Sequence, residues 1–219
     1  MKNSWIIGID EVGRAVSRRA SPNKWIIGID EVGRGSLAGP VTVAAVAVPI
    51  KLKIKNKISK IKLRDSKKLS SLQREAWFVR IKNHPQIKFA IAHVQPGVID
   101  RINISNAANL AATRAVYKLT ASVRGLVVSK IILDGGLYIK LKTKNKKLKI
   151  QTVIRADEKF PAVSLASIIA KVTRDKLMAR KHKKFPQYNF LRHKGYGTKL
   201  HMAAVKRFGP SVIHRISFL

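Results

Sequence analysis

The chain has 219 residues and a formal net charge of +34, from 45 Lys and Arg against 11 Asp and Glu. It has no cysteine, which excludes disulfides and thiolate zinc sites, and no apolar run approaches the length of a membrane-spanning helix. Such an excess of positive charge indicates a polyanionic partner, by default nucleic acid, and predicts binding that weakens steeply with salt.

Residues 1–24 contain a partial copy of the segment that follows them. Residues 5–14 are identical to residues 25–34, after which the two copies diverge. A period that occurs only once is not a solenoid repeat. We therefore interpret 1–24 as a partial duplicate of the first strand motif, either disordered or an artefact of sequence assembly, and 25–219 as a single domain. Acids interrupt the first apolar run too early for a secretory signal, so we expect a cytoplasmic protein.

A predicted buried strand followed by two carboxylates stands at the start of that domain. Residues 25–29 are apolar and rich in isoleucine, as buried strands are, and Asp30 and Glu31 follow directly. Because a buried carboxylate costs free energy without a nearby cation, the pattern favours a divalent metal, which prefers oxygen ligands. The glycine turn at 33–35 would let another molecule approach the backbone. The alternative is an ordinary strand whose acids are exposed at its tip.

The next elements are predicted from apolar periodicity, caps and chain breakers. These patterns predict strands over 41–48 and 87–95, a helix over 71–83 with Ser70 as its N-cap, and an alanine-rich helix over 105–120. Lys67, in the basic segment before the first of these helices, is a candidate for facing phosphate.

A third apolar run, residues 127–133, repeats the pattern of the first, because Asp134 and two glycines follow it. Residues 138–154 alternate basic and apolar side chains, which we interpret as a hairpin with one basic face. Asp157 comes shortly after this segment, so the predicted sheet again ends in an acid.

Pro161 marks the start of a long helix. We expect Asp175 on this helix to make a structural ion pair with Lys171 and Arg174. Further along, residues 188–198 interleave aromatic side chains with cations and glycines, which suits stacking on a sugar or base beside phosphate contacts. The alternative for this stretch is a surface loop with partly buried aromatics.

The acids at the predicted strand ends support one chemistry. Four carboxylates at one sheet edge can hold two divalent cations about 4 Å apart, which activate a water on one side of a phosphorus and stabilise the leaving oxygen on the other. The histidines show no metal-ligand spacing, and we interpret them as structural or phosphate-facing. The four acids are Asp30, Glu31, Asp134 and Asp157.

Over residues 25–219 the chain resembles the ribonuclease HII family, the type 2 ribonucleases H. Several motifs in the family's order are far more specific than any one of them. The motifs are Gly-Ile-Asp-Glu-Val-Gly-Arg-Gly-Ser-Leu-Ala-Gly-Pro at 28–40, Asp-Ser-Lys-Lys-Leu-Ser at 65–70, Asn-Ile-Ser-Asn at 103–106, Leu-Asp-Gly at 133–135, Arg-Ala-Asp at 155–157, Ser-Ile-Ile-Ala-Lys-Val-Thr-Arg-Asp at 167–175, His-Lys-Gly-Tyr-Gly-Thr at 193–198 and His-Arg-Ile-Ser-Phe at 214–218.

The resemblance implies an RNase H-like α/β fold, a mixed β-sheet flanked by helices. It implies a metal-dependent endonuclease of DNA replication and repair that hydrolyses the RNA strand of RNA–DNA hybrids. The implied substrates include single ribonucleotides embedded in duplex DNA, and the implied products carry 5′-phosphate and 3′-hydroxyl ends. The implied cofactor is Mg²⁺ or Mn²⁺, and we expect a monomer with no membrane partner.

By motif, the resemblance also assigns roles to residues. The metal-binding catalytic acids would be the four named above. The residues implied to contact substrate are Gly33, Arg34 and Gly35, in the loop that senses the ribose 2′-hydroxyl, and Tyr196, which packs on the nucleotide at the RNA–DNA junction.

Two features depart from the family pattern. Ala156 stands where a glycine often precedes the last acid, and the chain stops shortly after Phe218 without the C-terminal helical extension of many members. A separate alternative function stays open: a non-catalytic, basic nucleic-acid-binding protein of the same fold, which would bind hybrids without cutting them.

Overall fold

The computed structural model describes residues 5–9, 15–19, 24–52, 57–58, 61–62, 69–123, 125–141 and 147–219. The apolar runs of the sequence form strands, as their β-branched content predicts. The strands are β1 (Trp5–Ile9), β2 (Ala15–Arg19), β3 (Lys24–Val32), β4 (Val41–Pro49), β5 (Lys57–Ile58), β6 (Ile61–Lys62), β7 (Lys88–Val94), β8 (Val127–Asp134) and β9 (Lys149–Val153).

Five of these strands form one mixed sheet in the order β7-β4-β3-β8-β9. The central strand β3 pairs antiparallel with β4 and parallel with β8, and β9 continues the sheet parallel to β8. Every residue of β4 is buried, because helices cover both faces of the sheet at that strand. The predicted strands over 41–48, 87–95 and 127–133 are confirmed.

Helices occupy both faces of the sheet. The alanine-rich helix packs its small side chains on one face, and the long helix after Pro161 packs on the other together with the first helix. This is the predicted mixed sheet flanked by helices. The helices are α1 (Ser71–Asn83), α2 (Pro96–Ile102), α3 (Ile104–Ser122), α4 (Ala156–Lys159), α5 (Pro161–Lys184), α6 (Phe190–His193) and α7 (Lys199–Phe208), with single 3-10 turns at Pro186–Tyr188 and Ile216–Phe218.

The start of α5 lies unusually close to β3. A Cβ added at Gly28 would lie 2.2 Å from the backbone carbon of Ala162. Only glycine therefore lets the helix approach the strand this closely. The contact fixes the position of the acids that follow Gly28 on β3.

The predicted hairpin over 138–154 is wrong. Residues 149–153 form β9, which pairs parallel with β8, and residues 137–141 carry no strand. Leu137 and Ile139 are instead buried against the core that α3 covers. The alternation of apolar residues near 138 thus reflects burial of a loop, while the open edge of β8 provides the partner for β9.

The duplicated segment lies apart from the central sheet. β1 pairs antiparallel with β2 in a separate two-stranded sheet, and β3 occupies the central position. The interpretation of residues 1–24 as disordered or artefactual stays a prediction. Among the helices of the described ranges, none is long and apolar enough to cross a membrane.

Candidate active site

Asp30 and Glu31 lie on β3, opposite Ala44 and Val43 of the fully buried β4. Asp30 is only 6% exposed. Burial raises the pKa of Asp30 to about 8, and repulsion from Glu31 and then Asp134 adds to the increase. Burial also raises the pKa of Glu31, against the lowering effect of Arg34. The surroundings of the strand therefore disfavour ionisation of both carboxyl groups, and Arg34 acts against this at Glu31.

Asp134 is the last residue of β8, the parallel neighbour of β3. Its Oδ1 accepts a hydrogen bond of 2.7 Å from the backbone N–H of Ala156. This bond joins the end of β8 to the first turn of α4, where Asp157 is buried at 1% exposure. Asp157 was predicted at a strand end, and it lies instead on a short helix after β9. The register of β3, β8 and β9 brings the three segments that carry the acids to one end of the sheet.

The donor set fits a hard divalent cation. Glu31 Oε2 is buried and has no hydrogen-bond partner, and Asp30 has a raised pKa that a bound cation would reverse. Within the described ranges, no three His, Asp or Glu side chains stand close enough to ligate one ion. Mg²⁺ usually takes one or two protein carboxylates and completes its shell with water and phosphate oxygens.

Arg34 links Glu31 to two neighbouring elements. Its Nη1 lies 3.3 Å from Glu31 Oε1 and donates to the carbonyl oxygen of Gly136, just after β8, at 3.3 Å. Its Nη2 donates to the hydroxyl of Ser105, in the first turn of α3, at 3.3 Å. Arg34, which is predicted to contact substrate, thus already bonds groups within the protein, although its side chain remains partly exposed.

The two glycines around Arg34 have different surroundings. Gly33 is buried with φ +86°, and a Cβ there would lie 2.3 Å from Nε of Arg174. Gly35 is exposed, and nothing lies within 4 Å of the position its Cβ would take. The fold therefore requires glycine at 33, whereas no described residue requires it at 35.

Two buried arginines, Arg174 and Arg215, hold this turn, and the sequence analysis gave neither of them a role at the site. Both are fully buried. We define the site turn as residues 33–40. Arg215 donates to carbonyl oxygens near its start and end, and Arg174 donates to those of Ala38 and Pro40. Asp175 was predicted to pair with Lys171 and Arg174. Among the described residues it forms an ion pair with Arg74 of α1 at 3.8 Å, and Arg174 donates to backbone carbonyls instead.

A signal for Arg174 was present in the sequence. It lies four residues from both Ala170 and Met178, which are on the buried stripe of α5, so helical spacing alone places it inward. Arg215 had no helical periodicity to indicate burial, since it lies in a loop before the last 3-10 turn. Its one signal was its place in the His-Arg-Ile-Ser-Phe motif at 214–218, which gives no role.

Tyr196 lies beside the site turn. Ser36 and Tyr196 form a β-bridge, and Leu37 donates its N–H to the carbonyl of Gly195 at 2.8 Å. The Tyr196 ring is 40% exposed, and the Arg174 guanidinium lies 5.3 Å from its centroid. Tyr196 therefore lies next to the site turn, and Arg174 contacts both its ring and the position of Gly33. Lys67 lies outside the described residues.

Three buried histidines support the Tyr196 loop from behind. His201 Nδ1 lies 2.9 Å from the carbonyl oxygen of Tyr196, and its Nε2 lies 3.0 Å from Nε2 of His214. Nδ1 of His214 accepts from the N–H of Ser211, and His193 stacks on His201. Burial lowers the pKa of His201 to about 4 and also lowers the pKa values of His193 and His214. These histidines are structural, one of the two roles predicted.

A basic groove opens next to Tyr196. It has a volume of about 620 Å³ between α1, α5 and the α6 segment. Five cationic side chains and two acids line it, so its net charge is positive. The charged lining residues are Arg74, Glu75, Lys171, Asp175, Lys176, Arg192 and Lys194.

Comparison with known proteins gives one consistent result. The model of the family described as Ribonuclease HII matches residues 27–219. The ribonuclease HII of Ruminiclostridium cellulolyticum is 40% identical over 216 residues, which cover 99% of this chain and 70% of that protein.

Solved structures share the fold. The ribonuclease H2 of Pyrococcus horikoshii OT3 superposes with a TM-score of 0.69 at 24% identity, over 88% of this chain and 93% of that chain. Bst-RNase HIII in complex with Mn²⁺ superposes with a TM-score of 0.64 at 17% identity, over 93% of this chain and 74% of that chain.

Proposed function

The chain belongs to the ribonuclease HII family, and we propose that it hydrolyses the RNA strand of RNA–DNA hybrids and cuts duplex DNA at single embedded ribonucleotides. Membership makes it an endoribonuclease of the ribonuclease H class. One observation carries the finer proposal: a buried cluster of carboxyl groups, whose burial disfavours ionisation without a bound cation, lies beside an open glycine turn in a protein of charge +34.

The four acids would hold the cofactor, which we propose to be Mg²⁺ or Mn²⁺. Bst-RNase HIII, which shares the fold, has been solved in complex with Mn²⁺. A pair of divalent cations supplies an activated water and stabilises the leaving oxygen of an in-line displacement, which leaves 5′-phosphate and 3′-hydroxyl ends. The holding residues are Asp30, Glu31, Asp134 and Asp157.

The chain's own residues prepare this site. Arg34 bonds Oε1 of Glu31 and favours its ionised form, and the Ala156 N–H donates to Oδ1 of Asp134. Each carboxylate thereby keeps one oxygen fixed, so the other oxygen has a defined position. Orientation of this kind reduces the reorganisation needed when substrate phosphate enters.

Recognition of the ribonucleotide falls to the site turn and to Tyr196. Gly35 is open to solvent and permits close approach of a sugar, and Arg34 remains partly exposed beside it. Tyr196 offers an exposed ring face against the neighbouring nucleotide, held by Arg174 behind it. The basic groove beyond Tyr196 takes the phosphates of the flanking duplex.

Cleavage of a DNA duplex that carries one ribonucleotide tests the proposal. The comparison substrates are a continuous RNA–DNA hybrid and an all-DNA duplex, each with Mg²⁺ or Mn²⁺ and with EDTA. We expect a cut on the 5′ side of the ribonucleotide, no cut in the all-DNA duplex, and loss of cutting in EDTA.

Two acid-to-amide changes separate the metal site from general charge effects. Asp134→Asn should abolish cutting, whereas Asp100→Asn, on α2 and outside the lining of the basic groove, should cut as the wild type does. Binding of hybrids without cutting by the wild type in either metal would overturn the proposal and favour the non-catalytic binding protein.

A further inference from the structure

Arg215 makes an unusual set of hydrogen bonds for a buried charge. Its Nη2 donates to the carbonyl oxygens of Gly33 at 2.6 Å and Gly39 at 2.9 Å. Its Nη1 donates to the carbonyl of Arg34 at 2.7 Å, and its Nε donates to Gly39 at 3.0 Å. One guanidinium therefore joins the start of the site turn to its end.

These bonds determine where the neighbouring N–H groups point. The peptide units 33–34 and 34–35 are trans, so in each unit the N–H is directed opposite to the C=O. Both carbonyls are turned inward to Arg215, and the N–H groups of Arg34 and Gly35 therefore face away from it. Within the described ranges, neither N–H has a hydrogen-bond partner, and Gly35 is exposed.

Two adjacent outward N–H groups can bind a single oxygen atom. The space in front of Gly35 is open, since nothing lies within 4 Å of its Cβ position. The acids of β3 precede the turn by only a few residues, so a bound sugar oxygen would lie close to the reactive phosphate. The turn is thus a preformed pair of donors at the site.

Arg215 is expensive to bury. It is fully buried, and its hydrogen bonds in the described part of the chain go to backbone carbonyls. Its pKa falls to about 10 through burial and repulsion from Arg174, which leaves it charged at neutral pH. A buried charge of this kind is weak evidence that Arg215 stabilises the fold. A role in positioning the site turn accounts for the free-energy cost of burying it.

We propose that Arg215 is a positioning residue that directs the N–H groups of Arg34 and Gly35 at the 2′-oxygen of the substrate ribose. This inference rests on the proposed function. Arg215 does not touch the substrate. It acts by fixing the peptide planes of the site turn, while Arg174 fixes the other side of that turn against Tyr196.

The test is a binding preference measured in the inactive Asp134→Asn background. The measured quantity is the ratio of dissociation constants for the all-DNA duplex and for the same duplex with one ribonucleotide. Arg215→Lys keeps the charge but cannot form the forked set of bonds. Arg207→Lys is the matched control, since Arg207 is in the last turn of α7 and stacks on Phe208.

We expect roughly tenfold preference for the ribonucleotide, as two hydrogen bonds would supply, and the same preference in Arg207→Lys. In Arg215→Lys the preference should fall to within about a factor of two of unity, with unchanged affinity for all-DNA. A merely structural role would lower thermal stability and the active fraction without changing the ratio.

Two outcomes separate the inference from its premise. If the parent protein shows no preference for the ribonucleotide and the wild type does not cut, the proposed function fails. If the parent prefers the ribonucleotide and Arg215→Lys keeps that preference, this inference alone is overturned.

A second measurement needs no change at Arg215. In ¹H–¹⁵N spectra of the Asp134→Asn protein, the amide signals of Arg34 and Gly35 should move downfield with the ribonucleotide duplex and not with all-DNA. Equal shifts with both duplexes would overturn the inference even if Arg215→Lys does not fold.

Discussion

At the scale of the residue, Gly33 and Gly35 lie two positions apart in the site turn, yet their environments differ completely. Gly33 has a positive φ and would push a Cβ into Arg174. Gly35 has neither constraint, and its exposed backbone faces open space. The turn itself therefore does not require glycine at 35, and we propose that a substrate group approaching the turn does.

A pair of alanine substitutions tests this difference. Gly33→Ala should lower the free energy of unfolding by about 1–3 kcal/mol, through backbone strain and a clash with Arg174. Gly35→Ala should change it by less than about 0.5 kcal/mol, as exposed substitutions usually do. Its cleavage of the single-ribonucleotide duplex should nevertheless fall roughly tenfold, equivalent to about 1.4 kcal/mol.

Chemical denaturation and steady-state kinetics on the same preparations provide both readouts. If Gly35→Ala cleaves the single-ribonucleotide duplex at the wild-type rate, no substrate group comes within reach of that position. A large loss of stability in Gly35→Ala would show that the added methyl group meets other atoms of the protein, contrary to the open space around Gly35.

At the scale of the element, α6, α7 and the C-terminal segment form a small unit behind the site turn, centred on histidines. Because Nδ1 of His214 accepts from the Ser211 N–H, neutral His214 carries its proton on Nε2 and donates to His201. His201 then carries its proton on Nδ1 and donates to the carbonyl of Tyr196. The chain of bonds requires both rings to be neutral.

Acid should therefore weaken this unit. The folded pKa of His201 is about 4 against an unfolded value of 6.5, so the unfolded state binds more protons between these values and stability falls as pH decreases through that window. His193 and His214 shift in the same direction. His182 and Lys194 also face His193, and both add positive charge that opposes its protonation.

Thermal unfolding from pH 7.5 to 4.5 measures the effect. Replacing His201 with Gln should make the acid loss shallower by about one proton, whereas the control His84→Gln, at the end of α1, should leave the slope unchanged. Long-range ¹H–¹⁵N spectra should show the Nδ1–H form for His201 and the Nε2–H form for His214. The opposite tautomers would refute the proposed direction of the bonds.

At the scale of the whole molecule, the charge of +34 surrounds a small acidic centre. The basic groove continues from Tyr196 over α1 and α5, where five cationic side chains outnumber two acids. A duplex that places a ribonucleotide at the site turn can therefore lay its flanking backbone in the groove. The separate β1–β2 sheet adds nothing to the described lining of this groove.

The salt dependence of binding should locate that path. Each neutralised phosphate contributes about 0.9 to the slope of log affinity against log salt on B-form DNA. Arg192→Gln, in the groove, should reduce the slope by about one and weaken hybrid and all-DNA binding alike. Lys88→Gln, at the far edge strand β7, should leave the slope unchanged. If both changes reduce the slope equally, the positive charge attracts nucleic acid diffusely and the groove is not a defined path for the backbone.

Patterns among residues that are close in the sequence were sufficient to predict most of the strands and helices. The apolar runs before Asp30 and Asp134 form β3 and β8, and Ser70 caps α1 as predicted, in a capping box with Gln73. Such signals depend on neighbours along the chain, so the sequence contains them in full. The same runs placed three of the four acids, and only Asp157 moved from a strand end to a helix.

The pairing of β9 and the roles of the buried arginines were decided by tertiary structure. A basic, alternating strand can pair in either direction, and the open edge of β8 selected the parallel one. Arg215 donates to the carbonyl oxygen of Gly33, which lies 182 positions away in the sequence. The sequence does not distinguish a buried arginine from an exposed one. The sequence alone thus determined which acids and glycines belong to the site. Long-range packing decided which buried arginines hold the site turn in place.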